Sequence, residues 1–175
     1  MPVTVKSVAE AFELLYTSLL SRDFSKSLRL HEWGEQKLLP LVRTFLLGYF
    51  GESAVPEAGV VLPGALTGRG RVDFIVSNVA VEFVVRRPNA PRATLSQLVN
   101  ASEVKKLMKF NGPALLVMYD FSATPLSRED LARFRKWPSL GRGWHKKSPF
   151  NLVYFSRPTQ QSSGCETIRM NIRVS

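Results

Sequence analysis

Two rhythms of apolar and polar positions alternate along this chain, a helical one that opens it and a period-two one that recurs in the middle and at the end. Val8, Ala11, Phe12, Leu15 and Leu19 recur at helical spacing, and Ser7 and Glu10 stand at capping-box separation, which predicts an opening helix ending near Ser21. After a short polar link, residues 28–50 place Glu35, Leu38, Leu39, Val42, Phe45, Leu46 and Tyr49 on one side of a second helix, with Pro40 as a kink or fresh start. A short strand over 59–62 lies among Gly and Pro breakers. Val72 to Val76 and Val79 to Val85 are rich in Val, Ile and Phe around Ser77-Asn78, where Asn tolerates positive φ, so they predict a β-hairpin. The stretch TLSQLVNASEVKKLMKFNG reads as a helix broken near Asn100, with Leu95, Leu98, Val99, Leu107 and Met108 inward. PALLVMYDF is an unbroken apolar run and predicts a buried strand; Ser127 and Asp130 cap a short helix, and FNLVYF and IRMNIRV predict a closing hairpin. The order helix, helix, three strands, helix, strand, helix, two strands predicts a single α/β domain with a mixed sheet flanked by helices.

The hairpin carries the candidate chemistry. If Val76 pairs with Val79, then Ile75 faces Ala80, Phe74 faces Val81, and Asp73 faces Glu82 with Cβ atoms about 5 Å apart. Opposed carboxylates on a partly buried face destabilise a sheet unless one is protonated or a cation lies between them, and a divalent metal is the economical remedy. The register assigns Val72, Phe74, Val76, Val79, Val81, Phe83 and Val85 to the opposite face. An alternative is a solvated charge ladder in which Asp73 and Glu82 pair with Arg71 and Arg86.

Charge adds a partner to this picture. The 175 residues are 45% hydrophobic and 22% charged, the proportions of a folded globular protein, and Lys+Arg 24 against Asp+Glu 14 gives +10 at neutral pH. That surplus favours a polyanion, nucleic acid ahead of an anionic membrane, with a merely solvated basic surface as the alternative. RFRKWPSLGRGWHKK concentrates it: Arg133, Arg135, Lys136, Arg142, Lys146 and Lys147 are interleaved with Trp137 and Trp144. Cations neutralise phosphates and indoles stack on exposed bases, so the segment has the composition of a nucleic-acid surface. The alternative is that the Trp side chains anchor a loop while the cations face water. Cys165 is the only cysteine, which excludes an internal disulfide, and neither a signal sequence nor an apolar run of transmembrane length is present, so the expected location is cytoplasmic. His31 and His145 have no companions at zinc-ligand spacing.

A helix carrying an acid, then a hairpin with Asp on its first strand and Glu on its second, then a helix and another strand, resembles the αβββαβ core of the PD-(D/E)XK nuclease superfamily, the restriction-endonuclease-like fold. The resemblance covers about residues 32–119 within a core of about 28–120, leaving the N-terminal helix (4–21) and the C-terminal helix and hairpin (127–175) as elaborations. It implies a nuclease that hydrolyses phosphodiester bonds of DNA or RNA with Mg²⁺ or Mn²⁺. Glu35 is then the helix acid, with Glu32 a close rival, and Asp73 and Glu82 are the strand acids. Hard oxygen ligands suit such ions. Gln97 is a weaker candidate for the helix glutamine that some members place near the site. The family's Lys, two residues after the strand Glu, is replaced here by Val84. Arg71, opposite Val84, and Arg86, about 6.6 Å beyond it, are the expected substitutes, with Lys105 on the next helix as another; Arg orients and stabilises but does not act as a base. The alternative is a catalytically degenerate binding module in a larger assembly or homodimer. The expected partner is nucleic acid, DNA ahead of RNA, and no membrane.

Overall fold

The computed structural model describes residues 2–29, 32–62, 68–136, 147–157 and 164–173. Among these, five α-helices, α1 (Val5–Leu20), α2 (Arg22–Leu28), α3 (Glu35–Phe50), α4 (Ala101–Lys109) and α5 (Arg128–Ala132), accompany six strands, β1 (Ala54–Val61), β2 (Arg69–Val76), β3 (Val79–Arg86), β4 (Ala114–Asp120), β5 (Phe150–Ser156) and β6 (Glu166–Ile172). The strands form one mixed sheet in the order β1-β2-β3-β4-β5-β6. The β3–β4 and β4–β5 pairs are parallel and the others antiparallel.

Alternation along the central strands divides the interior in two. Val79, Val81, Phe83 and Val85 of β3 pack with Phe12, Leu15 and Leu19 of α1 and with Leu38, Val42 and Leu46 of α3. Ala80 and Val84 of β3 pack with Val104, Leu107 and Met108 of α4, Leu131 of α5 and Phe134. The sheet is thus covered on both faces, which is why all of β3 and β4 are buried and read as nearly continuous apolar runs. Among the described residues no helix is long and apolar enough to cross a membrane.

Several predicted details shift for local physical reasons. The box capping α1 is Thr4 with Ser7, each side chain taking the other's backbone N–H, and not Ser7 with Glu10. The polar link after Ser21 is itself helical, because the Ser21 hydroxyl accepts from the Phe24 N–H and starts α2. Pro40 lies inside α3 without dividing it. In the hairpin turn Ser77, at φ 59°, takes the left-handed conformation expected of Asn78. Leu98 and Val99 are 70% and 61% exposed, not inward. Asn100 explains this: its side-chain amide donates to the carbonyls of Thr94 (2.9 Å) and Ser96 (2.8 Å), stapling a turn where the pattern predicts helix, so α4 begins only at Ala101.

Val72 is the most consequential correction. It packs with the α4 side of the sheet, whereas Phe74 and Val76 pack with the α1 and α3 side. On the neighbouring strand Ala54 lies on the α1 and α3 side, and Ala58 and Val60 on the α4 side. Counting Phe74 and Val76 with Ala54, and Val72 with Ala58 and Val60, both strands exchange faces: between Pro56 and Ala58 on β1, and between Phe74 and Val72 on β2. Glu57, at φ 48°, stands at that crossover on β1, and Asp73 stands at it on β2.

Candidate active site

The crossover frees Asp73 from ordinary strand pairing. The predicted pairs Val76–Val79, Ile75–Ala80 and Phe74–Val81 are present, but the ladder stops there, so the predicted Asp73–Glu82 cross-strand pair is not formed. Beyond it, Asp73 Oδ2 accepts the Phe83 N–H at 2.8 Å, so a carboxylate fills the place of the missing backbone acceptor. Glu82, next to Phe83, is 1% exposed and projects on the face covered by α4. From that helix Lys106 Nζ reaches both of its oxygens, at 3.0 Å to Oε1 and 3.1 Å to Oε2. Lys106 is held because Val104, Leu107 and Met108 anchor α4 on the sheet, while its own side chain remains 28% exposed.

Carboxyl groups outnumber cations here. Burial pushes Glu82 up to about 8, the charge of Asp73 adds to the rise, and Lys106 opposes both without overcoming them. Burial also raises Asp73, against the Phe83 N–H and Lys106, with Glu103 and Glu57 adding repulsion. Glu35 is the first residue of α3, where the helix N-terminus favours a carboxylate, yet it too is raised, to about 7. Shielding from solvent is the first cause, then Asp73 and Glu103, with Lys106 opposing. Glu35 itself is exposed to solvent.

The cations take different places from those expected. Arg71 is exposed beyond the crossover and reaches Glu57 at 3.9 Å, so it does not stand in for the missing Lys. Arg86 is buried, paired with Asp120 at 3.2 Å. Three further donors go to the carbonyls of Thr124 (2.8 Å) and Ala90 (3.0 Å) and to the Thr124 hydroxyl (3.0 Å). The parallel register that sets Arg86 beside Asp120 is the cause. Asp120 is completed by the Tyr154 hydroxyl at 2.7 Å and the Ser122 N–H at 2.9 Å. This buried network fastens the ends of β3, β4 and β5. Neither arginine contacts Asp73 or Glu82, so the charge-ladder alternative lacks its cations; the only base hydrogen-bonded to either acid among the described residues is Lys106. Val84 is 2% exposed within the α4-side core.

Lys106 and Glu103 are the members of the cluster that sequence reasoning does not reach. The apolar stripe of α4 gives no reason to prefer Lys106 over Lys105, and only the seat of the helix over β2 and β3 selects it. Of the basic segment, Arg135, Lys136 and Lys147 are exposed, whereas Trp137, Arg142, Trp144 and Lys146 lie outside the described residues. The same holds for His31 and His145.

The acids suit a small hard cation. Among the described residues no three Asp, Glu, His or Cys side chains converge into a preformed cage. Mg²⁺ does not require one, since it keeps several waters and binds through one or two carboxylates. Asp73 and Glu82 offer such a pair, desolvated and undercompensated by a single ammonium, with Glu35 as a third acid within electrostatic reach. No family model, curated protein or solved structure matches this chain.

Proposed function

We propose that the protein is a divalent-metal-dependent nuclease of the PD-(D/E)XK type, with a restriction-endonuclease-like core, acting on DNA or RNA. The single observation that carries this reading is the surplus of acids: Glu82 and Asp73, both raised by burial, share one ammonium, Lys106. The succession α3, β1, β2, β3, α4, β4 also has the αβββαβ order of that core. Asp73 and Glu82 would hold Mg²⁺ or Mn²⁺ with Glu35 as third acid, and the ion would supply charge for the phosphate and a more acidic bound water.

Lys106 takes the part that Val84 cannot. Two of its three N–H groups are accounted for by the Glu82 oxygens, and the third is left for a water or a phosphate oxygen. It fixes Glu82 in place and brings positive charge to a site that must accept a polyanion. A second reading, a nuclease-fold binding module without cleavage acting in a larger assembly, is favoured by Val84, whose burial in the apolar core leaves no cation at the family's position. Both readings keep nucleic acid as partner, on the ground of the +10 charge.

Incubation with labelled single- and double-stranded DNA and RNA, in Mg²⁺, in Mn²⁺ and in chelator, separates the two. The nuclease reading expects cleavage that needs the ion and disappears in Asp73→Asn. Binding without cleavage under every condition would replace it with the binding-module reading, and neither binding nor cleavage would contradict both.

A further inference from the structure

A cavity of about 280 Å³ opens on the other side of Asp73, between α3 and the crossover of β1 and β2. One stripe of α3 forms its helical wall, Gln36, Leu39, Pro40 and Arg43 at spacings of three and four; Pro56 and Glu57 of β1 and Asp73 and Phe74 of β2 face it. Two features make this more than a gap between elements. Arg43 is exposed and has neither an ion pair nor a hydrogen bond among the described residues, so its guanidinium keeps a full set of donors. Pro40 has no N–H, so the Gln36 carbonyl loses its ordinary helical donor and stays available beside the Gln36 amide. The remaining wall of Leu39, Pro40 and Pro56 is apolar and conformationally stiff.

Charge selects the occupant. A free anion entering here would meet Asp73 and Glu57, and Glu57 is only weakly countered by Arg71 at 3.9 Å. A neutral apolar ligand would leave Arg43 without a partner. A group with its negative charge at one end and a flat, partly apolar body at the other satisfies both ends, and that is the chemistry of a nucleotide within a strand. Resting on the nuclease reading, we propose that this cavity is the subsite for the nucleotide next to the scissile phosphate, with its flanking phosphate on Arg43 and its base against Leu39, Pro40 and Pro56.

The test compares Arg43→Gln, Arg43→Lys and Gln36→Trp with the wild type. Both altered residues are exposed, so each variant should keep the wild-type melting temperature and its response to Mn²⁺. Anisotropy of a labelled single strand of about 20 nucleotides and of the matching duplex, in chelator across a salt series, gives affinity; initial rates in Mg²⁺ give KM and kcat. Losing one charge-assisted contact in Arg43→Gln should weaken binding about tenfold and lower the magnitude of the salt slope by about 0.7 to 0.9. Arg43→Lys should recover the slope but only part of the affinity, because it keeps the charge and loses the fork. Gln36→Trp fills the cavity without changing charge, so affinity should fall with the slope unchanged. KM should rise in each. Wild-type affinity, slope and KM in Arg43→Gln and Gln36→Trp, in a protein that cleaves, would overturn the subsite and leave the nuclease reading intact. A wild type that binds neither substrate would overturn both.

Discussion

Replacing Glu82 by Gln should make the metal-free protein more stable at alkaline pH, although the substitution removes one partner of an ion pair. Glu82 is 1% exposed, and its proton is held up to about 8 where an ordinary Glu releases it near 4.5. Between those values the folded chain binds more protons than the unfolded one, so stability falls as pH rises through this window and levels off above it. Holding a proton through one pH unit beyond its ordinary release costs about 1.4 kcal/mol of stability, so the whole interval amounts to on the order of 5 kcal/mol. Gln has the same shape, still accepts from Lys106 and never ionises. Urea unfolding at five pH values from about 5 to about 9 in chelator measures the difference. The two proteins should be close to equal at the acid end, where Glu82 is neutral, and the variant should be favoured by a margin that grows up to a pH of about 8. Glu35 and Asp73 leave a residual slope of the same sign in both proteins, so the difference between them is the quantity to read. Saturating Mg²⁺ should restore the wild type at the alkaline end and leave the variant nearly unmoved. Parallel pH profiles, or a variant that loses ground to the wild type as pH rises, would show that Glu82 does not hold its proton beyond the ordinary range.

Lys106→Met should leave a folded protein whose single-turnover cleavage is slower by about two to three orders of magnitude, the usual loss when one preorganised donor is removed, whereas Lys105→Met should stay within about twofold of wild type. Equal effects from the two substitutions would remove Lys106 from its assigned role. Arg86→Met should leave Asp120 buried without its cation and lower stability by about 3 kcal/mol in urea unfolding; a loss under about 1 kcal/mol would mean that Tyr154 and Ser122 suffice for Asp120.

The hairpin and its acids are legible in the sequence because a two-residue turn fixes the register, and period two then determines which residues meet. The three pairs of that hairpin, the buried strand that follows and the antiparallel closing pair all come from such local signals. The face exchange at Glu57 and Asp73 is hidden because a strand's period presumes an unbroken pleat, and nothing in the residue pattern marks a positive φ at a Glu. Arg71 belongs to the acidic face only on that presumption, and the exchange carries it away. Arg86 misleads for a different reason: Asp120 lies inside an apolar run, and only the parallel β3–β4 register brings the two charges together. Lys106 depends on where a whole helix is seated, a tertiary fact with no local signature. Leu98 and Val99 show the same limit on a smaller scale, since one stapling side chain, Asn100, overrides a plausible helical pattern.

Whether Asp73 and Glu82 hold a divalent cation is read from a melting curve in increasing Mn²⁺ or Mg²⁺ slightly above neutral pH, wild type beside Asp73→Asn. An ion that binds only the folded chain stabilises it by about 2.7 kcal/mol at a hundredfold excess over Kd, which for a chain of this length is a rise of roughly 5–10 °C. That rise is expected in the wild type, accompanied by proton release in a weakly buffered titration because the ion displaces the proton held on Glu82, and most of both signals should be lost in Asp73→Asn. A wild-type melting temperature indifferent to the ions, or an equal rise in Asp73→Asn, would rule out a cation site on these two carboxylates.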